Sequence, residues 1–225
     1  MEKNYQKLHL GCGLNTPEGW LNIDGSWNAR AAKRPFLKKI IKKLRLAPES
    51  RLDIPWNHDI FIHDLRNSLP FPDNSFMAVY ASHLLEHLYL DEAENLLREC
   101  FRVLRPGGIL RLVVPDLEEM VNNYLRGKER KEFNNQENLS AHKLMRGLNF
   151  RDVKHPSGGF FYKIYNCVKD FHSHKWMYDE ESLIFHFKRA GFSDVRKMKL
   201  HESGIENIEK IELNKGLCIE GIKAK

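Results

Sequence analysis

Apolar positions along the chain change their spacing several times, and each change marks an element. Lys7–Leu10 reads as a short strand, Trp20–Asp24 as a second and Ile60–Asp64 as a third, the last two ending in acids. The turn residues of Leu69-Pro70-Phe71-Pro72-Asp73-Asn74-Ser75 separate these from a fourth strand, Phe76–Ala81. From about Tyr89 to Val103 the spacing becomes helical, with Ala93, Leu96, Leu97, Cys100, Phe101 and Leu104 recurring at every third or fourth position. Arg102 and Arg105 favour the C-terminal end of this helix, and Pro106-Gly107-Gly108 is expected to stop it. Ile109–Val114 is apolar throughout apart from Arg111, which fits a central strand covered on both faces. Glu180–Ala190 predicts a helix ended by Gly191, and Val195–Leu200 and Leu217–Lys223 predict two closing strands. Strands alternating with helices imply right-handed βαβ units and a doubly wound α/β sheet.

Two segments break this rhythm. A basic stretch at about 28–48 lies between the second and third strands, and a polar stretch rich in Asn, His and aromatics runs from about 116 to 178. The 225 residues suit a single domain carrying both as inserts. No stretch approaches the ~20 apolar residues of a membrane span. The four cysteines (Cys12, Cys100, Cys167, Cys218) form no CxxC pair, and the N-terminus is polar. Together these predict reduced thiols in a cytoplasmic protein and no zinc held through cysteine.

The net charge of +6 is local in origin. Arg30–Arg45 carries eight Lys or Arg and no acid, and without those eight the remainder is net −2. A long nucleic acid is usually gripped by a wider positive face, so this distribution disfavours one. Phe36, Leu37, Ile40, Ile41 and Leu44 share one face of a helix with lysines opposite. Such a helix packs its apolar side on the domain as a lid, or meets an anionic surface or a phosphate-bearing substrate.

The candidate chemistry begins at Gly11-Cys12-Gly13, which follows the first strand at once. Ligands of open α/β sheets bind beyond the carboxyl ends of the strands, and glycines let backbone approach them. Asp24, at the end of the second strand, is placed to accept hydrogen bonds from ribose hydroxyls. Asp64, after the third, is placed to meet an adenine amino group. A nicotinamide site would want GxGxxG, and Thr16 stands where the third glycine belongs.

Three stretches resemble class I S-adenosylmethionine-dependent methyltransferases. Leu8-His9-Leu10-Gly11-Cys12-Gly13 resembles their first motif, and Leu69–Phe76 resembles the loop before their fourth strand. Arg98–Leu110 resembles the helix, turn and fifth strand of the small-molecule-type branch. The resemblance spans roughly residues 7–117 and continues more loosely through Leu183 to Phe192. It implies a Rossmann-like, mostly parallel seven-stranded sheet with helices on both faces and an antiparallel last strand. It also implies S-adenosyl-L-methionine as methyl donor. Leu10, Gly11, Cys12, Gly13, Asp24, Gly25, Asp64 and Leu65 would bind it, Gly11 and Gly13 facing its methionine part, Asp24 its ribose, and Asp64 and Leu65 flanking its adenine. Ala81, Ser82 and His83 would lie near the reacting methyl. One departure is the short Gly13-to-Asp24 spacing, where Thr16-Pro17-Glu18-Gly19 leaves room only for a turn or short helix in place of the family's full helix.

In this frame the 116–178 insert builds the pocket of a small-molecule acceptor, such as a sugar, lipid or metabolite. His83, His174 and Tyr178 are the catalytic candidates, for deprotonating or orienting that acceptor. Methyl transfer needs mainly alignment, since the donor is already activated. The Ala81-Ser82-His83-Leu84 run lacks the Pro-Pro pattern of amino-methylating DNA enzymes, and no cysteine follows a proline as in cytosine-C5 enzymes. Two other readings stay open. One is a non-catalytic scaffold working through the basic insert. The other is a zinc hydrolase, because His83-Leu84-Leu85-Glu86-His87 spells HxxEH, with Glu180 or Glu181 as a third ligand. The methyltransferase reading itself requires no metal.

Overall fold

The structure, a computed structural model, describes residues 5–34, 36, 55–129, 140–149 and 173–224. Its seven strands are β1 (Lys7–Leu10), β2 (Trp20–Asp24), β3 (Phe61–Ile62), β4 (Phe76–Ser82), β5 (Leu104–Val114), β6 (Ser193–Met198) and β7 (Leu217–Ile222). They form one sheet in the order β3-β2-β1-β4-β5-β7-β6. β1 to β5 pair in parallel, and β7 runs antiparallel between β5 and β6. This is the expected doubly wound sheet with its antiparallel last strand.

The side chains of the central strands alternate between two packed faces. Leu8, Leu10, Val79, Ala81, Leu110, Leu112 and Ile219 join one apolar cluster; Ala78, Tyr80, Val113 and Cys218 join another. The first face is covered by α2 (Leu90–Val103), through Ala93, Leu96, Leu97, Cys100 and Val103, and by α5 (Glu180–Arg189), through Leu183 and Phe187. Both helices are capped: Glu92 Oε2 accepts from the Tyr89 N–H at 3.0 Å, and Asp179 Oδ1 accepts from the Ser182 N–H at 2.9 Å. Ile205, Ile208 and Ile211, from the loop between β6 and β7, cover the second face.

The same alternation puts Arg111 on the second face, fully buried, opposite Glu220 of β7. Its guanidinium meets Glu212 through two bonds of 2.7 and 2.8 Å, Glu220 at 2.9 Å, and the carbonyls of Lys199 and Glu202 at 3.0 and 2.9 Å. The one charged residue of an apolar strand is thus the anchor of the 199–212 loop.

Several elements differ from expectation. α1 (Trp27–Ala32) follows β2, with Ser26 Oγ accepting from the Ala29 N–H, and the pattern did not foretell it. α3 (Leu117–Glu129) and α4 (Ser140–Leu148) lie in the stretch that had shown no regular pattern. α2 ends at Val103 as expected, but Pro106-Gly107-Gly108 does not stop it, because Leu104 is already extended. The three residues belong instead to an irregular stretch of β5, where the pairing jumps from Phe76–Leu104 to Ala78–Ile109. The helix expected over Phe36–Leu44 lies outside the described residues apart from Phe36. So do Cys167 and the histidines and aromatics of 150–172. No described helix is long and apolar enough to cross a membrane.

Candidate functional site

The carboxyl ends of β1, β2 and β4 converge on one edge of the sheet. The chain leaves β1 through a turn without any helix, as the short spacing predicted. Gly11 and Gly13 both adopt left-handed backbone, at φ of 63° and 55°. A Cβ on Gly13 would meet nothing within 4 Å, so its face of the turn is open. The Cys12 N–H donates to the Ile23 carbonyl at 2.9 Å, which ties the turn to β2. Asp24 completes the tie: its Oδ2 accepts the Gly13 N–H at 2.9 Å and its Oδ1 the Ser26 N–H at 2.7 Å. The carboxylate is 7% exposed, and each oxygen keeps a second lone pair for a ligand hydroxyl.

The other residues expected at the donor divide by what they can offer. Leu10, Cys12, Leu65 and Ala81 are buried, so their side chains serve packing and only their backbone reaches the edge. Burial pushes the Cys12 thiol up to about 12, which keeps it protonated and inert. Gly25 is required by packing: a Cβ there would stand 2.3 Å from the His63 carbonyl oxygen. Asp64 turns its carboxylate to Arg66, which donates through Nε at 2.9 Å and Nη2 at 2.6 Å. The Arg66 hydrogen bonds hold the Asp64 carboxyl below the usual carboxylate range.

His83 follows β4 with φ of 50°, a left-handed backbone fixed by its N–H donating to the Val113 carbonyl at 2.9 Å. Its Nδ1 lies 3.2 Å from Glu86 Oε1 and its Nε2 lies 3.3 Å from the Lys215 carbonyl oxygen. Both partners are acceptors, so the ring is best satisfied as imidazolium. The Glu86 hydrogen bond accordingly holds its pKa above the usual histidine value. HxxEH does not form a helix face: only Leu85–His87 make a 3-10 turn, and His83 stands outside it. Glu180, offered as a third zinc ligand, pairs with Lys197 at 3.1 Å.

Segment 173–178 docks on this turn by main-chain bonds, with the Lys175 and Trp176 N–H groups donating to the Glu86 carbonyl at 2.7 and 3.3 Å. It brings His174 and Tyr178 beside Glu86. The His174 ring lies 5.0 Å from the His87 ring. Burial lowers the His174 pKa and raises that of Tyr178. Tyr178 is buried, and its hydroxyl meets no hydrogen-bond partner among the described residues. The sequence reading also overlooked the 211–216 loop, which forms a wall of the site. Asn15 Nδ2 donates to the Ile211 carbonyl at 2.8 Å, and Asn214 Nδ2 to Ser82 Oγ at 3.4 Å. Nothing local in the sequence marks this loop.

Residues 8–112 match a family model described as a methyltransferase domain. Methyltransferase GfsG of Streptomyces halstedii is 28% identical over 115 residues, covering 50% of this chain and 38% of that protein. The ubiquinone/menaquinone biosynthesis C-methyltransferase UbiE of Desulfotalea psychrophila is 50% identical over 42 residues, covering 19% of this chain and 16% of that protein. The chain thus aligns with well under half the length of these curated relatives. Among solved structures, Haemonchus contortus phosphoethanolamine N-methyltransferase 2 in complex with S-adenosyl-L-methionine superposes over 100% of this chain and 50% of its own, with a TM-score of 0.47 and 12% identity.

Proposed function

We propose that this chain, whose residues 8–112 match a methyltransferase-domain family model, is a class I S-adenosylmethionine-dependent methyltransferase that binds S-adenosylmethionine and methylates a small-molecule acceptor, such as a sugar, lipid or metabolite. The observation that carries the reading is the Gly13–Asp24 hydrogen bond, which fixes an open glycine turn against a buried acid. Gly11 and Gly13 offer backbone to the donor's methionine part. Asp24 offers its remaining lone pairs to the ribose, and the backbone around Asp64 and Leu65 lies toward the base. When bound, the donor supplies a methyl group on a sulfonium, already activated for in-line displacement.

The acceptor side is Ser82, His83 and the Lys215 carbonyl on one hand and His174 and Tyr178 on the other. His83 takes the acceptor's proton at Nε2, where the acceptor displaces the Lys215 carbonyl. Glu86 stabilises the imidazolium from Nδ1 and serves as a positioning group. The basic residues of 30–45 offer contact to an acidic group of the acceptor or to an anionic surface.

Calorimetry with S-adenosylhomocysteine tests the proposal. Micromolar binding that Asp24→Asn weakens is expected. Absence of binding to the folded wild-type chain would overturn it in favour of a non-catalytic scaffold.

A further inference from the structure

We propose that Glu86, His87 and His174 form a binding site for one divalent transition-metal cation of the zinc type. One ligand atom from each residue lies within 4.8 Å of the others. This grouping differs from HxxEH chemistry, since it excludes His83 and takes its third member from a distant segment. Nor does it depend on the methyl-transfer reading.

Burial supplies an independent observation. Glu86 is wholly buried, and its Oε2 accepts no hydrogen bond from the described residues, although Oε1 is held by His83. A carboxylate oxygen withdrawn from water without a partner is costly, and a cation removes the cost. His174 Nδ1 is also buried and without a hydrogen-bond partner among the described residues, while the Leu148 carbonyl lies against its ring. His87 Nδ1 lies 3.4 Å from the Ser173 carbonyl. A backbone carbonyl at one ring nitrogen fixes the tautomer and orients the other nitrogen, as is usual around metal-bound histidines.

The scaffold is already in place. Lys175 and Trp176 bond to the carbonyl of Glu86 itself, and the His174 N–H donates to the Asn149 carbonyl at 3.1 Å. Donors about 2.0–2.1 Å from a tetrahedral zinc stand about 3.3 Å apart, so closing on the ion from within 4.8 Å takes a contraction of about 1.5 Å at most. Two imidazoles and one carboxylate suit zinc and its neighbours and disfavour calcium or magnesium, which prefer all-oxygen sites. Three protein ligands leave a fourth position open, and the buried Tyr178 hydroxyl, without a partner among the described residues, is a further polar group in the same neighbourhood.

The test is zinc uptake by the full chain after stripping with EDTA, read by equilibrium dialysis against zinc chloride and elemental analysis. About one zinc per chain is expected in the wild type, lost in His174→Ala and in His87→Ala with circular dichroism unchanged. No uptake by the wild type, or undiminished uptake by folded variants, overturns the site. X-ray absorption at the zinc edge of the wild type needs no variant: two imidazoles with oxygen and no sulfur are expected. Sulfur ligation, or fewer than two imidazoles, refutes it.

Discussion

His83 Nδ1 lies 3.2 Å from Glu86 Oε1, so the histidine at the end of β4 is backed by a carboxylate that no water reaches. Since the hydrogen bond raises the His83 pKa, a neutral His83 acting as base becomes available only as pH climbs past the ordinary value of about 6.5. Methyl transfer to a hydroxyl acceptor is therefore expected to rise with pH, with its midpoint above that value. His83→Gln should lower kcat about 100-fold and flatten the profile. A pH-independent rate in the wild type would exclude His83 as the base.

Asp24 accepts two backbone N–H groups at the donor turn and is nearly buried. Hydrogen bonds to a charged group contribute about 1.5–3 kcal/mol each. Asp24→Asn should weaken S-adenosylhomocysteine binding about 10- to 100-fold, measured by calorimetry at neutral pH.

His9 makes stability depend on acidity. It is buried on β1 against Tyr80, and desolvation lowers its pKa to about 4. The unfolded chain binds this proton first as pH falls, so the contribution is complete above about 6.5 and lost between there and about 4, a loss of about 3 kcal/mol. Burial lowers His174 and His186 too, adding slope of the same sign. Comparing urea midpoints at pH 7 and pH 5 for wild type and His9→Gln isolates the His9 share; the variant should lose less on acidification.

Arg111→Met leaves Glu212 and Glu220 buried without their cation. Removing one partner of a buried ion pair costs about 3–5 kcal/mol. A large drop in urea midpoint is expected, accompanied by weaker donor binding, because the anchored loop reaches Asn15 and His83.

The strands and α2 were legible because period and length agree over many residues. β4 and β5 carry apolar runs, and α2 repeats its apolar positions over several turns. α1 escaped notice because its signal is little more than the Ser26 cap, and α3 and α4 because their apolar positions stand within a segment whose overall composition is polar. The end of α2 at Val103 agreed with its apolar period, but Pro106-Gly107-Gly108 belongs to β5 and does not stop it, since the chain extends already at Leu104. At the site, Gly11, Gly13 and Asp24 could be read because they lie next to strand ends. Arg111 was visible as an exception, but its carboxylates were not, because cross-strand register chose them. Glu86 and His174 meet through folding of distant segments, which no local spacing encodes.

The position of β7 bears on how the protein is made. It is inserted between β5 and β6, and it and the loop before it carry Glu220 and Glu212. On the ribosome, β1 to β5 emerge with Arg111 lacking both counter-charges, so the sheet cannot close until the two glutamates follow. Nascent chains stalled before residue 212 should hold an unfinished site and depend on chaperones, whereas release of β7 completes the sheet and the wall beside His83 in one step.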